Sequence, residues 1–402
     1  MNTRQHPIPA AVDAATEDGG AGSDRRHPFV PVTLRTAEWG ATRLGSYRPI
    51  PTIPLLDSLP PSILQWELAD TSLQGPLALA VALGAAGALP GRGGTLRLWE
   101  TLATVAATDL GAARVIEPHL DALAILDQAA SVQHPGPGPS LPPAAAGTTW
   151  GVFAAEGGPR PLIASRTGDR WLLSGVKPWC SLAGTLDAAL ISATTDTGQR
   201  RLFSVDLHDA GVHVEPAPWV ARGLSEIPSG PVRCEAVAAS PVGDAGWYLD
   251  RAGFSWGGIG VAACWYGGAV GLARSLHSAL RSQAAGTPDG ADRLALMHLG
   301  AIDALLHGCR LALSDAAAQV DAGTAEGASG RILAKRVRDI VARTCEETIS
   351  RVGHALGPAP LALDAAHSKR VADLQLYVRQ HHAERDQASL GDALAQQETA
   401  PW

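Results

Sequence analysis

GDRWLLSGVKPWCSLAGTLDAALISATT, residues 168–195, is the most informative stretch of this 402-residue chain. Apolar and polar residues alternate along it with a period of two, a pattern typical of short, half-buried strands. Turn-forming pairs such as Gly168-Asp169 separate the apolar runs, and the pattern continues to about residue 240 without an intervening helix. This spacing predicts an antiparallel β-barrel or sandwich. Its predicted strands are 171–175, 188–192, 201–205 and 212–215.

Helical periodicity lies on both sides of this β region. Before it, one predicted helix follows Pro60-Pro61 and ends at Gly75-Pro76, and others cover 77–89, 98–113 and 120–130. After it, longer helices are predicted at 259–280, 294–320, 331–352 and 367–390, which together indicate a four-helix bundle. The expected fold class is α+β, with an N-terminal helical domain, a central antiparallel β-barrel or sandwich domain and a C-terminal four-helix bundle.

The clearest predicted boundary is HPGPGPSLPPAAAG at 134–147, whose five prolines exclude a continuous helix. The first 30 residues have no hydrophobic period, so we expect a disordered tail there. The predicted organisation is a tail at 1–30, an N-terminal helical domain at 31–133, a linker at 134–147, a β domain at 148–240, a helical bundle at 241–392 and a tail at 393–402.

Composition and charge exclude several classes of protein. The net charge is only −7 and no basic stripe occurs, which argues against a nucleic-acid-binding protein. The longest apolar run, 77–89, has about 13 residues, whereas a membrane-spanning helix needs roughly 20. No apolar signal-peptide core opens the chain, so we expect a cytoplasmic location. The five cysteines lack the spacing of a disulfide framework or a zinc site, so we expect free, buried thiols and no metal.

One motif matches a nucleotide-binding pattern. Gly258-Ile-Gly260-Val-Ala-Ala263 fits GxGxxA, the dinucleotide-binding fingerprint. That fingerprint requires a strand before it and an acidic residue about 20 positions on. No strand pattern precedes the motif, and the next acidic residue is Asp289, in a Gly/Pro-rich loop. We therefore interpret these small residues as a helix-packing face.

The densest cluster of ionisable residues is HHAERD at 381–386, near the end of the last predicted helix. Helical phase places His382 near the centre of the apolar stripe and His381 at its edge. An ionisable group on such a stripe needs a partner, a cavity or a cofactor. The sequence leaves open whether these histidines are structural groups at a helix contact or catalytic groups that face a cofactor. Adjacent histidines diverge on a helix, so no metal site is expected here.

The stretch at 168–195 resembles the strand pair of the acyl-CoA dehydrogenase family, which reads roughly G-x-W-x-L-x-G-x-K-x-W-I-T-N followed by A-D. GIGVAACWYGGAVGLARSLHSALRS at 258–282 resembles the family's first long bundle helix, and the predicted domain order is similar too. The resemblance implies FAD as the cofactor and oxidation of the Cα–Cβ bond of an acyl thioester, with hydride transfer to flavin N5. It also implies a place in fatty acid metabolism, an electron-transfer flavoprotein as a partner, and a homodimer or homotetramer.

The resemblance assigns roles to individual residues. Trp179 occupies the place of the family's flavin-contacting tryptophan. Ser181 stands where a threonine hydroxyl bonds the flavin near N5 and O4. The other cofactor-binding residues that it implies are Phe153, Ala155, Glu156, Arg281, Gly353 and Gly357.

The chain departs from the family at the catalytic base. His381 replaces the usual glutamate, and the alternative base position reads Phe254-Ser255-Trp256, with no glutamate. His381 or His382 is therefore the candidate base, since an imidazole held neutral accepts a proton near neutral pH. Two other interpretations stay open. One is a monooxygenase on the same scaffold that uses reduced flavin and oxygen. The other is an inactive partner subunit, which is favoured by the departures from the family's two flavin-binding boxes, at 155–159 and 353–358.

Overall fold

The computed structural model describes most of the chain. The described residues are 29–35, 54–64, 72–87, 89–132, 147–157, 161–216, 218–286 and 290–402. The predicted N-terminal tail, apart from residues 29 and 30, lies outside them, and so does the predicted linker, apart from Gly147. Part of the first predicted helix, 65–71, also lies outside the described residues.

In the described part of the chain, five helices precede the sheet: α1 (Pro54–Asp57), α2 (Pro61–Leu64), α3 (Gln74–Ala85), α4 (Thr95–Thr108) and α5 (Leu110–Val132). The predicted helix end at Gly75-Pro76 is wrong, because proline is accepted in the first turn of a helix and Pro76 lies in the first turn of α3. The predicted gap between 113 and 120 is also wrong, since α5 continues through Pro118. The chain breaks instead at Asp109, whose extended backbone ends α4 and whose Oδ1 accepts the Gly111 amide at 2.8 Å.

Seven strands of the described residues form one sheet: β1 (Trp150–Phe153), β2 (Ile163–Thr167), β3 (Arg170–Ser181), β4 (Ala188–Thr195), β5 (Arg200–Asp206), β6 (Val212–Val214) and β7 (Ser229–Val242). The order is β1-β4-β2-β3-β7-β5, with β6 on β7 and a further pairing of β4 with β5. The four predicted strands correspond to β3–β6, while β1, β2 and β7 have no predicted counterpart. The antiparallel expectation is wrong for β1 and β2, which both pair with β4 in parallel. A parallel pair of strands needs a long connection. The segments that join β1 to β4 and β2 to β4 both contain β3 and are long enough.

Seven helices follow the sheet: α6 (Trp247–Asp250), α7 (Ala252–Gly286), α8 (Arg293–Asp321), α9 (Gly327–Leu356), α10 (Ala359–Leu363), α11 (Ala365–Tyr377) and α12 (Glu384–Ala395). The first three predicted bundle helices correspond to α7, α8 and α9. The fourth, predicted at 367–390, is instead two helices, because the chain tightens into a 3-10 turn at Val378–Gln380 and is extended at His381. The helical-phase argument that placed His382 inward is therefore wrong.

α7 is the central helix of the fold. It packs against α4, α5, α8, α9 and α11, and many of its residues are buried. The GxGxxA segment at 258–263 lies inside α7, which confirms a helix-packing face and excludes a dinucleotide-binding loop. A Cβ on Gly267 would lie 2.2 Å from the Ala103 backbone oxygen, so α4 and α7 cross in direct contact. All five cysteines are buried and free, as expected.

α8 is the one described helix that is long and apolar enough, by length and composition, to cross a membrane. The core helix of a globular protein passes the same test. In this fold α8 packs against α7 and α9, and its residues Ile302, Cys309 and Leu313 are buried. Leu294 and Met297 leave an exposed apolar surface near its N-terminal end.

Candidate functional site

The end of β3 carries an exposed indole ring and, two residues on, a hydroxyl group. A shift in the β3–β7 register between Lys177 and Cys180 accompanies a left-handed backbone at Trp179, whose φ is 59°. Trp179 is 64% exposed, which is unusual for so large an aromatic residue. The Ser181 Oγ lies 2.8 Å from the Ser229 Oγ and accepts a hydrogen bond of 3.2 Å from Arg114 Nη2. The same strand end therefore carries an exposed aromatic surface and a polarised hydroxyl.

α5 contributes two charged side chains at the same place. Arg114 and Glu117 are one turn apart, and Arg114 Nη1 lies 3.9 Å from Glu117 Oε2. The Arg114 guanidinium also faces the Tyr377 ring, 5.7 Å from its centroid. Burial raises the pKa of Glu117 to about 7, against the opposing charge of Arg114. Glu117 is therefore a carboxyl group that titrates near neutral pH.

Aromatic rings surround the end of α11. Trp265 of α7 meets the Tyr377 ring edge-on, with 6.2 Å between centroids, and the His381 ring at 6.4 Å. Arg338 of α9 lies 4.7 Å from the Trp265 ring centroid and donates a hydrogen bond of 3.0 Å to the Gln380 backbone oxygen. These contacts hold the segment after α11 against α7 and α9. We call the following residues the Arg114–His381 cluster: Arg114, Glu117, Ser181, Trp265, Arg338, Tyr377 and His381.

Only one of the two candidate histidines belongs to this cluster. His381 is 6% exposed, and its Nε2 lies 3.7 Å from Asp386 Oδ2 and 3.8 Å from Asp339 Oδ1. Burial lowers the pKa of His381, although the Asp386 carboxylate opposes the shift. His381 is therefore mainly neutral at physiological pH and able to accept a proton. The His382 side chain is 65% exposed and lies 3.5 Å from Asp386, so it is a surface residue.

Glu156, in the first predicted flavin-binding box, forms ion pairs with two basic side chains of the sheet. Its Oε1 lies 2.6 Å from Arg200 Nη2 and 3.2 Å from Lys177 Nζ. The buried Lys177 also donates to the Ser192 carbonyl oxygen at 2.8 Å. Ala155 and Glu156 line a cavity of about 110 Å³ together with residues of β3 and β4. This part of the box thus combines a structural ion pair with a small open space.

The other predicted cofactor-binding residues lie apart from the cluster. Phe153 is buried in the hydrophobic core, and Arg281 is exposed on the last part of α7. Gly353 lies near the end of α9, and Gly357 follows α9 at a φ of 67°; both have open space where a side chain would stand. Within the described residues, no recorded hydrogen bond or ion pair joins Arg281 to the Arg114–His381 cluster.

Of the seven cluster members, only Ser181 and His381 are among the site residues that the sequence predicts. Arg114 donates to Ser181 and faces the Tyr377 ring, and the Trp265 ring contacts both Tyr377 and His381. The signal for Arg114 and Glu117 is a polar stripe at 114, 117 and 121 on a helix with many apolar residues, since these positions share one helix face. Tyr377 has no comparable signal, because a tyrosine at helical spacing is equally typical of a core residue.

A second group of carboxylates lies where α11 meets the start of α5. Asp109, Glu226 and Asp373 have oxygen atoms within 4.8 Å of one another, close enough to share a cation. Lys369 Nζ lies among them, at 3.4, 2.7 and 2.6 Å respectively. Asp373 Oδ1 also accepts the Leu224 amide at 2.6 Å. This carboxylate–lysine cluster ties α11 to the start of α5 and to the loop before β7.

Comparison with known proteins identifies the fold. No family model and no curated protein matches the chain. Many solved structures match it over most of its length. One is TdsC from Paenibacillus sp. A11-2 with FMN and indole (17% identity, 76% of this chain and 85% of that chain, TM-score 0.64). Another is KijD3 with FMN and a dTDP-linked amino-keto sugar (19%, 79% and 83%, 0.66). A third is a variant of the steroid acyl-CoA dehydrogenase Tcur3481–Tcur3483 (21%, 79% and 88%, 0.62).

The fold is that of the acyl-CoA dehydrogenases. This confirms the fold that the resemblance of the β3 region implied, with helices on both sides of a β region. The sequence identities are low, so the likeness establishes the fold and leaves the reaction to be argued from the Arg114–His381 cluster.

Proposed function

We propose that this protein is a flavin-dependent oxidoreductase. The observation that supports it is the exposed Trp179 ring two residues from Ser181, whose hydroxyl belongs to the same cluster as the buried His381. An exposed indole next to hydrogen-bonding groups fits the flat, polar-edged ring of a flavin. TdsC and KijD3, which share the fold, are described with FMN.

A bound flavin supplies hydride acceptance or, in its reduced form, reaction with oxygen. Trp179 supports the ring by stacking, while Ser181 and Arg114 offer hydrogen bonds to its polar atoms. His381 accepts the proton that the substrate loses. The remaining proposed contacts of FAD are Phe153, Ala155, Glu156, Arg281, Gly353 and Gly357.

Two reactions are proposed for this site. In the first, an acyl thioester is dehydrogenated, His381 takes the α-proton, and an electron-transfer flavoprotein accepts the electrons. The second, monooxygenation, is favoured by the charged Arg114 and Glu117 next to Ser181, because an acyl chain is bound best by apolar walls. TdsC, a dibenzothiophene monooxygenase, has the same fold.

The first experiment is the visible absorption spectrum of the purified protein, followed by titration with FMN and with FAD. We expect one flavin per chain. Anaerobic bleaching of this flavin by acyl-CoA thioesters identifies dehydrogenation. Oxygen consumption with a separate flavin reductase, NADH and indole identifies monooxygenation. A chain that binds neither flavin contradicts the proposal and supports the role of an inactive partner subunit.

We further propose a cytoplasmic homodimer or homotetramer. Leu294, Leu296 and Met297 form an exposed apolar surface near the start of α8, and such surfaces are often covered by another chain. Sedimentation velocity measures the assembly directly, and a monomer at micromolar concentration would contradict it.

A further inference from the structure

Glu117 differs from two other buried carboxylates of the fold in the length of its ion pair. Glu100 lies 3.1 Å from a guanidinium nitrogen, and Asp373 lies 2.6 Å from an ammonium nitrogen. Glu117 is 9% exposed, and its ion pair to Arg114 is 3.9 Å long, which exceeds the length of a hydrogen bond. A side-chain hydrogen bond with Tyr377 and the charge of Arg114 both favour its ionised form, but burial opposes them. The negative charge of Glu117 is therefore less compensated than that of Glu100 or Asp373.

Glu117 is also close to the proposed flavin-facing hydroxyl. Arg114 lies between them: its Nη2 donates to Ser181 Oγ at 3.2 Å, and its Nη1 faces Glu117 Oε2. An arginine side chain stays protonated at every working pH. Arg114 therefore couples the charge beside Ser181 to the charge of Glu117 without exchanging a proton itself.

Several elements that pack around Glu117 present titratable or charged groups to it. These groups are Arg114 and Asp121 of α5, Tyr248 of α6, Cys264 of α7, Arg338 of α9 and Tyr377 of α11. Burial has the largest effect and raises the pKa of Glu117 to about 7. The positive charges of Arg114 and Arg338 oppose this shift, and the negative charge of Asp121 adds to it.

We propose that Glu117 is the proton-exchanging residue of this site, which takes up a proton when the bound flavin is reduced and releases it on reoxidation. The inference rests on the proposed function, because it requires a flavin beside Ser181. Two electrons come from the organic substrate, or from dithionite in vitro. One proton enters the ring, and a second proton, from solvent, enters the Glu117 carboxylate. On reoxidation the same two electrons pass to the acceptor and both protons leave.

The first test uses flavin-free protein. Urea unfolding of the wild type and of Glu117→Gln is compared between pH 5 and pH 8. A carboxyl whose pKa is raised on folding stabilises the protein while protonated, and this stability is lost as the pH rises through about 7. The unfolding constant of the wild type should therefore rise about 70-fold relative to that of Glu117→Gln across this range. Asp127→Asn is the matched control, because Asp127 lies on the same helix and pairs with Arg92 at 2.6 Å. The unfolding constant of this variant should change with pH as that of the wild type does.

The second test uses the flavin-loaded protein. The midpoint potential is measured by spectroelectrochemical titration with dithionite across the same pH range. The wild type should take up as much as one proton more per two electrons than Glu117→Gln near pH 7, and Asp127→Asn should match the wild type.

The outcomes separate this inference from the proposed function. A pH-dependent stability difference together with the lost proton uptake supports the role of Glu117. Flavin binding with identical proton uptake in the wild type and Glu117→Gln overturns it and leaves the proposed function intact. A stability difference that does not vary with pH overturns it as well, because Glu117 then does not titrate in this range. Absence of flavin binding overturns both.

Discussion

Replacing Trp179 by alanine should weaken flavin binding and leave the fold intact. Trp179 is 64% exposed, and since a tryptophan buries about 150–250 Å², about 130 Å² of it is open to a ligand. A ring stacked on one face covers about half of that area, which contributes about 1.6 kcal/mol at about 25 cal/mol per Å². Aromatic stacking adds about 1 kcal/mol. The expected loss is about 2.5 kcal/mol, which raises Kd about 60-fold.

The assay is a fluorescence titration of flavin-free protein with FMN and with FAD. Trp402→Ala is the matched control, because Trp402 is 90% exposed at the C-terminus and the variant also loses an exposed indole. Both variants should unfold within about 0.5 kcal/mol of the wild type, as expected for exposed side chains. The control should bind flavin with wild-type affinity.

Three results would refute this reasoning. Unchanged flavin affinity in Trp179→Ala would remove the indole from the cofactor site. Equal weakening in Trp179→Ala and Trp402→Ala would show that the effect does not depend on the place beside Ser181. A marked loss of stability in Trp179→Ala would show that the ring supports the fold.

Three further predictions concern the base, the carboxylate–lysine cluster and the α4–α7 crossing. His381→Ala should slow turnover about 10²–10⁴-fold, whereas His382→Ala should turn over at nearly the wild-type rate. Similar rates in both variants would show that the role of His381 is structural. Because burial lowers the pKa of His381, the wild-type rate should persist to a pH below the usual histidine range. Lys369→Met leaves three carboxylates without their shared cation, so the free energy of unfolding in urea should fall by about 1–3 kcal/mol. This loss of stability should shrink at acidic pH, because the carboxylates are then protonated. A loss that does not depend on pH would contradict the charge argument. Gly267→Ala should lower the free energy of unfolding by about 1–3 kcal/mol, since the new Cβ would lie 2.2 Å from a backbone oxygen of α4. Gly260→Ala, whose Cβ would have its nearest atom at 3.5 Å, should be neutral or stabilising. Equal stabilities of the two variants would argue against the close crossing of α4 and α7.

The elements that the sequence predicts well are those with a regular local pattern. β3 and β4 contain short apolar runs bounded by turn residues, and α7, α8 and α9 keep the helical period over about 30 residues each. β7 is not predicted, because Gly230, Pro231 and several alanines weaken its alternation, and its extended state depends on pairing with β3. The parallel pairing of β1 and β2 with β4 depends in the same way on which strands meet in space.

The break after α11 shows how one local conformation changes the interpretation of a site. A helix continued through 367–390 turns His382 inward, and the sequence contains no glycine or proline there that would end it. The observed 3-10 turn at Val378–Gln380 is held by Arg338, which donates to the Gln380 carbonyl from another helix. His381 is buried as a consequence, and His382 is left in solvent.

Trp179 and Ser181 are proposed as flavin contacts from the sequence alone, because both belong to a contiguous strand motif that resembles that of the acyl-CoA dehydrogenase family. The helical regions on both sides of the sheet are also predictable from the sequence, because their periodicity is local. The rest of the site depends on folding: Arg114 meets Ser181 across 67 positions of sequence, and its guanidinium faces Tyr377 from a different helix. A charge or an aromatic ring acquires its chemical role from burial and from its neighbours, and both arise only when distant segments pack together.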